Sequence, residues 1–313
     1  MATATNPFTG GRWVMEPKLQ TIWGIPHSSW FFAMGIGGAL FINRALFHIE
    51  LGRVFGLIVA DVLSMVLIAI GGLILIADLG KPSRLFRALM NPRTSWISVG
   101  AICDFIFLTL DGLWLLPDFE LNGWRPLAGL PWAGNSPWGI ALQVVAGLSA
   151  FIVIVYPGLV LAYSPSIPFW NTTLIPLEFL VFGFVSALGI ALVFALWIPV
   201  APSILATLGV AEALLLVVAL LLLLAHLLNG LYSHTTAKAS VNRLIKGELK
   251  IPFLWGTILG GLLLPLALSL YGSLWASPSP DVLSLTLAGL ITLAGNWFSK
   301  YAVIKAGMYA PFL

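Results

Sequence analysis

The feature that most constrains this chain is a succession of about eight apolar runs, each near the ~20 residues that carry a helix across a ~30 Å hydrocarbon core. They lie near 28–47, 54–77, 96–116, 138–162, 172–198, 203–229, 252–274 and 281–300. Lipid offers a bare backbone no hydrogen bonds, so such runs must wind into helices. Prolines fall at the joints, among them Pro26, Pro117, Pro137, Pro199, Pro202 and Pro252, where a missing N–H costs least. Charged residues are only 9% of the 313, against about 25% in soluble domains. The expected fold is therefore an all-α integral membrane protein of about eight transmembrane helices.

The distribution of charge orients it. Basic residues gather at the N-terminus (Arg12, Lys18), between spans two and three (Lys81, Arg84, Arg87, Arg93), between spans six and seven (Lys238, Arg243, Lys246, Lys250) and at the end (Lys300, Lys305). Of the fifteen, that leaves only Arg44, Arg53 and Arg125 for the other side. Both termini are then expected in the cytoplasm, in the plasma (inner) membrane of a prokaryote. The first residues lack a charged start and an apolar core, so no cleavable signal is expected. A net charge of +3 is too small to argue for nucleic acid, and the basic residues sit where lipid headgroups would hold them.

Spans one and five share a weak repeat. Phe31-Phe-Ala-Met-Gly35-Ile-Gly-Gly-Ala39-Leu40 is similar to Phe179-Leu-Val-Phe-Gly183-Phe-Val-Ser-Ala187-Leu188, with Asp61 and Glu212 at matching depth one span later. The expected organisation is a cytoplasmic segment 1–27, four-helix bundles at 28–162 and 163–301, and a tail 302–313. The outward loop 117–137 carries Trp124 and Trp132, with Trp138 just beyond it, suited to an interfacial belt or to covering a ligand.

Five carboxyl groups fall inside spans: Asp61, Asp104, Asp111, Glu178 and Glu212. An acid at a helix centre costs roughly 2.5–3.5 kcal/mol, so partners, water or function must compensate. With the termini inside, Asp61, Asp111 and Glu212 belong to the outer half beside Arg44 and His48. Asp104, Glu178 and His226 belong to the inner half, a candidate proton path. The plainer reading of each acid is a carboxyl near the interface or bonded to a neighbouring helix. Haem is not expected, because two facing histidines are needed and only His226 reads as intramembrane. Cys103 stands alone and no Cys-x-x-Cys pair is present, so no metal held by this chain is expected.

One loop is more specific. Leu79-Gly80-Lys81-Pro82, Arg84, Asn91-Pro92-Arg93-Thr94-Ser95-Trp96 and Ser98-Val99-Gly100 follow the pattern LG(R/K)P…R…L.NP.(S/T)SW.S.G. In this the chain resembles the NrfD/polysulfide-reductase membrane-subunit family. Trp23-Gly24-Ile25-Pro26 before a glycine-rich first span is similar to that family's opening, and Phe253-Leu-Trp255-Gly256 to its seventh helix. His27, Ser28 and Ser29 depart from it, as many relatives are apolar there.

The resemblance implies a haem-free subunit that binds a quinone, menaquinone or ubiquinone. It would dock on an iron–sulfur ferredoxin-like subunit at the outer face and, through it, serve a molybdopterin catalytic subunit. It places the quinone in the first bundle, with Asp61 at a commonly acidic position and Trp132 and Asn135 near the head. Arg44, His48 and Asp111 complete the expected quinone set, and Asp61 would exchange the proton. Two readings stay open beside it. Proton movement through Asp104, Glu178, Glu212 and His226 would accompany quinone chemistry, or the acids would serve a secondary transporter or proton channel. A transporter is expected to break its helices at mid-membrane, and Pro157, Pro176 and Pro265 are the few candidates.

Overall fold

The computed structural model describes residues 17–78, 90–276 and 278–311. Among them eight helices are long and apolar enough to cross a membrane. They are α1 (Ile25–Phe47), α2 (Val59–Asp78), α3 (Trp96–Leu115), α4 (Pro137–Ala162), α5 (Leu174–Phe194), α6 (Pro202–Ser233), α8 (Ile251–Trp275) and α9 (Val282–Ala306). The short α7 (Thr235–Ile245) lies between α6 and α8. Lys81, Arg84 and Arg87, with the Leu79–Pro82 part of the loop motif, lie outside the described residues, as does Arg12.

Local chemistry sets the helix starts. Pro26, Pro137 and Pro202 each occupy a first-turn position, where the absent N–H has no partner to lose. Ser95 and Ser136 cap α3 and α4 by accepting from the N–H groups of Ser98 and Gly139. Ser95 belongs to the loop motif, so at least this part of the motif is a helix start.

Helix α2 begins five residues later than expected, because 53–58 form a hairpin. Strand β2 (Arg53–Val54) pairs antiparallel with β3 (Leu57–Ile58). Phe55 and Gly56 both take positive φ, as a tight two-residue turn requires. A Cβ on Gly56 would stand 2.0 Å from Asp118 O, so only glycine lets the hairpin seat on the end of α3. The last helix runs past the expected 300 to Ala306. Strands β1 (Lys18–Leu19) and β4 (Met308–Tyr309) then pair, so part of the expected tail is tied to the segment before α1.

Helix α1 is the packing centre. It is 72% buried, against 28% for α2, and it touches α2, α4, α5 and α9. Its glycines permit this: a Cβ on Gly37 would meet Ile68 and Ser64 O, and one on Gly38 would meet Ala150 O and Ile154. Across to α5, a Cβ on Gly183 would stand 2.8 Å from Gly35 O. Phe31 packs edge-on against Phe179 at 5.3 Å. The matched segments of the repeat therefore face one another.

Candidate functional site

Four helices converge on one buried ionic cluster near the start of α2. Arg44 Nε donates to Asp61 Oδ1 at 2.6 Å, and Arg44 Nη1 donates to Gln143 Oε1 of α4 at 3.1 Å. The guanidinium also lies over Phe41 and over Trp114, 4.7 and 4.3 Å from the ring centroids. Such stacking suits a weakly hydrated planar cation. Asp111 of α3 completes the cluster, near enough for its charge to feel both Asp61 and Arg44. Both acids are 0% exposed and Arg44 only 4%.

The cluster is incompletely paired. Arg44 Nη2, Asp61 Oδ2 and both carboxyl oxygens of Asp111 have no hydrogen-bond partner. One guanidinium faces two carboxyls, so the group is one positive charge short in a medium where unpaired charge is costly. A proton can fill that deficit. The arrangement offers a donor and several acceptors side by side, beneath the surface but within the membrane.

An apolar groove of about 490 Å³ lies between α3 and α4, lined by Leu110, Trp132, Trp138, Ala141, Leu142 and Val145 but by none of the cluster's own residues. Leu110 precedes Asp111 in sequence, and Leu142 precedes Gln143. Trp132 lines the groove and is fixed there, its indole N–H donating to Leu113 O at 2.7 Å.

The other expected site residues divide differently. Asn135 is exposed on the 117–137 loop. His48 ends α1 in a left-handed conformation and lines a separate cavity of about 880 Å³ against α5 and α6. Asp104 lies about two turns before Asp111 on α3, where Tyr156 Oη donates to its Oδ2 at 3.2 Å and Trp30 Nε1 donates to Tyr156 Oη at 3.2 Å. Gly100 of the loop motif makes room for this tyrosine: a Cβ there would stand 2.3 Å from the ring.

In the second half, His226 Nε2 lies 3.0 Å from Phe169 O, which can only accept. That carbonyl assigns the proton to Nε2 and leaves Nδ1 facing Glu178 Oε1 at 3.0 Å. One further proton lies between them, on either the acid or the ring. Lys300 seats its ammonium 3.6 Å from the centroid of Phe179, within reach of the Glu178 charge. Glu212 bonds Ser269 instead. Among the described residues no hydrogen bond links Asp104, the Glu178–His226 pair and Glu212 to one another.

Sequence reasoning missed Gln143, Trp114, Trp30 and Tyr156. Gln143 gave a signal, as a lone amide in an apolar run. The aromatic residues gave none, since aromatic residues in membrane helices are ordinary core.

The family described as Polysulphide reductase, NrfD, matches residues 13–311 of the chain. Comparison with curated proteins gives no match.

Proposed function

The chain belongs to the NrfD family of membrane subunits of respiratory oxidoreductase complexes, and from that premise we propose that it binds a quinone or quinol at the Arg44–Asp61–Asp111 cluster. What carries the reading is the set of buried, unpartnered polar atoms where four apolar helices meet. A quinone presents carbonyls that need donors, and a quinol presents hydroxyls that need acceptors. Arg44 Nη2 supplies the first, and Asp61 Oδ2 or Asp111 the second. The groove by Trp132 and Trp138 matches an isoprenoid tail.

The bound carrier would supply two-electron, two-proton chemistry, and this chain supplies position and protons. Arg44 holds the ring by one N–H while Gln143, Phe41 and Trp114 fix the guanidinium. Asp61 takes or gives a proton at Oδ2, its Oδ1 held by Arg44. Asp111 holds a second proton beside it. Trp132 keeps water from the groove. Members of the family partner with iron–sulfur and catalytic subunits. We place a ferredoxin-like iron–sulfur subunit, serving a molybdopterin enzyme, on the outer side near the 117–137 loop. That side is the nearer to the cluster, since Asp61 begins α2 and Trp132 lies in that loop.

Proton movement coupled to this chemistry is supported by two arrangements on the opposite side. Glu178 and His226 share a proton position, and Trp30, Tyr156 and Asp104 form a hydrogen-bonded chain. Asp61→Asn in the purified complex tests the main reading. Quinol-analogue turnover is expected to vanish while the subunits stay assembled. Undiminished turnover would remove Asp61 from the mechanism.

A further inference from the structure

Glu212 of α6 stands apart from the other buried acids. It is 0% exposed, and its Oε2 accepts from Ser269 Oγ of α8 at 2.6 Å. Its Oε1 has no partner. Thr292 Oγ1 of α9 lies beside the carboxyl and is likewise without a formed hydrogen bond. Around this point α5 and α9 cross at two glycines. A Cβ on Gly289 would stand 2.3 Å from Gly189 O, and one on Gly189 would stand 3.1 Å from Gly289 O and 3.4 Å from Glu212 Oε1. Glycine at Gly189 leaves open the space beside Glu212 Oε1, and the two side-chain hydroxyls at the carboxyl are those of Ser269 and Thr292.

Positive charge is what the surroundings lack. Asp61 has Arg44, and Glu178 has His226 and Lys300. Among the described residues no ion pair includes Glu212, and no charged group acts on it. Gly189 from α5, Ser269 from α8 and Thr292 from α9 lie against it, none of them titratable. An ionised carboxylate left this way would carry a desolvation penalty of several kcal/mol, so one bound positive charge must accompany it. The ligands on offer are all hard oxygens, which suit a proton or a small alkali cation and not a thiophilic metal.

Polar groups continue along α8 from the site. One turn beyond Ser269, Ser273 Oγ donates to Ser269 O, and a Cβ on Gly209 of α6 would touch that serine. The helix here, Tyr271–Trp275, is wound with i→i+5 hydrogen bonds, a departure that occurs mostly at functional positions. It ends at the turn where Asp281 N–H donates to Gly272 O and where Ser284 opens α9.

We infer that Glu212, with Ser269 and Thr292, holds one exchangeable monovalent cation, a proton or a sodium ion. This site is independent of the quinone cluster and does not rest on that reading.

Infrared spectra of the intact protein, wild type minus Glu212→Gln, test it. The difference is expected to isolate a protonated-carboxyl band that fades as the site exchanges. Fading on replacing choline chloride by NaCl at constant pH identifies sodium; fading only as pH rises identifies the proton. A band indifferent to both titrations makes Glu212 a permanently neutral packing acid and overturns the inference. Should Glu212→Gln fail to fold, Ser269→Ala keeps the carboxyl and removes its one donor. The midpoint of carbodiimide labelling at Glu212 is then expected to move about tenfold in cation concentration. A midpoint that stays in place equally overturns it.

Discussion

Arg44 Nε donates to Asp61 Oδ1 over 2.6 Å, with the arginine 4% exposed and the aspartate fully enclosed. A pair so deeply placed acts as a unit, because removing either partner strands the other's charge. Arg44→Met and Asp61→Leu are each expected to cost about 3–5 kcal/mol. The double replacement is expected to cost less than their sum by more than about 1 kcal/mol. Unfolding of all four proteins in detergent closes the cycle, and additive losses would show two independent side chains.

Gly100 and Tyr156 make a second pair. Gly100→Ala places a methyl 2.3 Å from the tyrosine ring and is expected to cost about 1–3 kcal/mol by overpacking. In a Tyr156→Ala background that cost should disappear, since the clashing ring is gone. An equal penalty in both backgrounds would trace it to the helix instead.

His226→Ala is expected to harm stability more than Glu178→Gln. The alanine leaves a cavity, an acid without its partner and an unpaired Phe169 O. The glutamine keeps a neutral group of the same shape against the ring. Thermal unfolding in detergent ranks them, and the reverse order would mean that the acid, not the ring, anchors this region.

Asp281 caps α9, and its carboxyl is held below the usual range by the Ser284 hydroxyl and by the N–H groups of Leu283 and Ser284. A depressed value means the folded state favours the ionised form. The capping contribution is therefore full above the ordinary carboxylate pKa and is lost as pH falls through the lower folded one. Asp281→Ala is expected to cost about 1 kcal/mol at neutral pH and progressively less in acid. Equal losses at both pH values would show that the charge contributes nothing.

Much of the cluster was legible before any fold was known. Asp61, Asp111 and Arg44 stood out because a charge within an apolar run is expensive wherever it ends up. Depth followed from counting residues along helices whose direction the basic loops set. Neither observation could tell which charges on different helices meet. Asp61 and Glu212 were placed at similar depth, yet one meets an arginine and the other a serine. His48, four residues after Arg44, leaves the cluster altogether because α1 ends there and the chain turns it toward α5 and α6.

The sequence by itself determined that this chain crosses a membrane about eight times, because apolar length and backbone hydrogen bonding admit no other solution in lipid. It also marked several helix starts, through prolines whose effects reach only a turn or two. Partners between helices were decided by the tertiary structure alone. They depend on how each helix rotates about its axis, and that rotation is set by close approaches such as Gly35 to Gly183 and Gly189 to Gly289. With nearly every face of a membrane helix apolar, no hydrophobic stripe in the sequence announces which side turns inward.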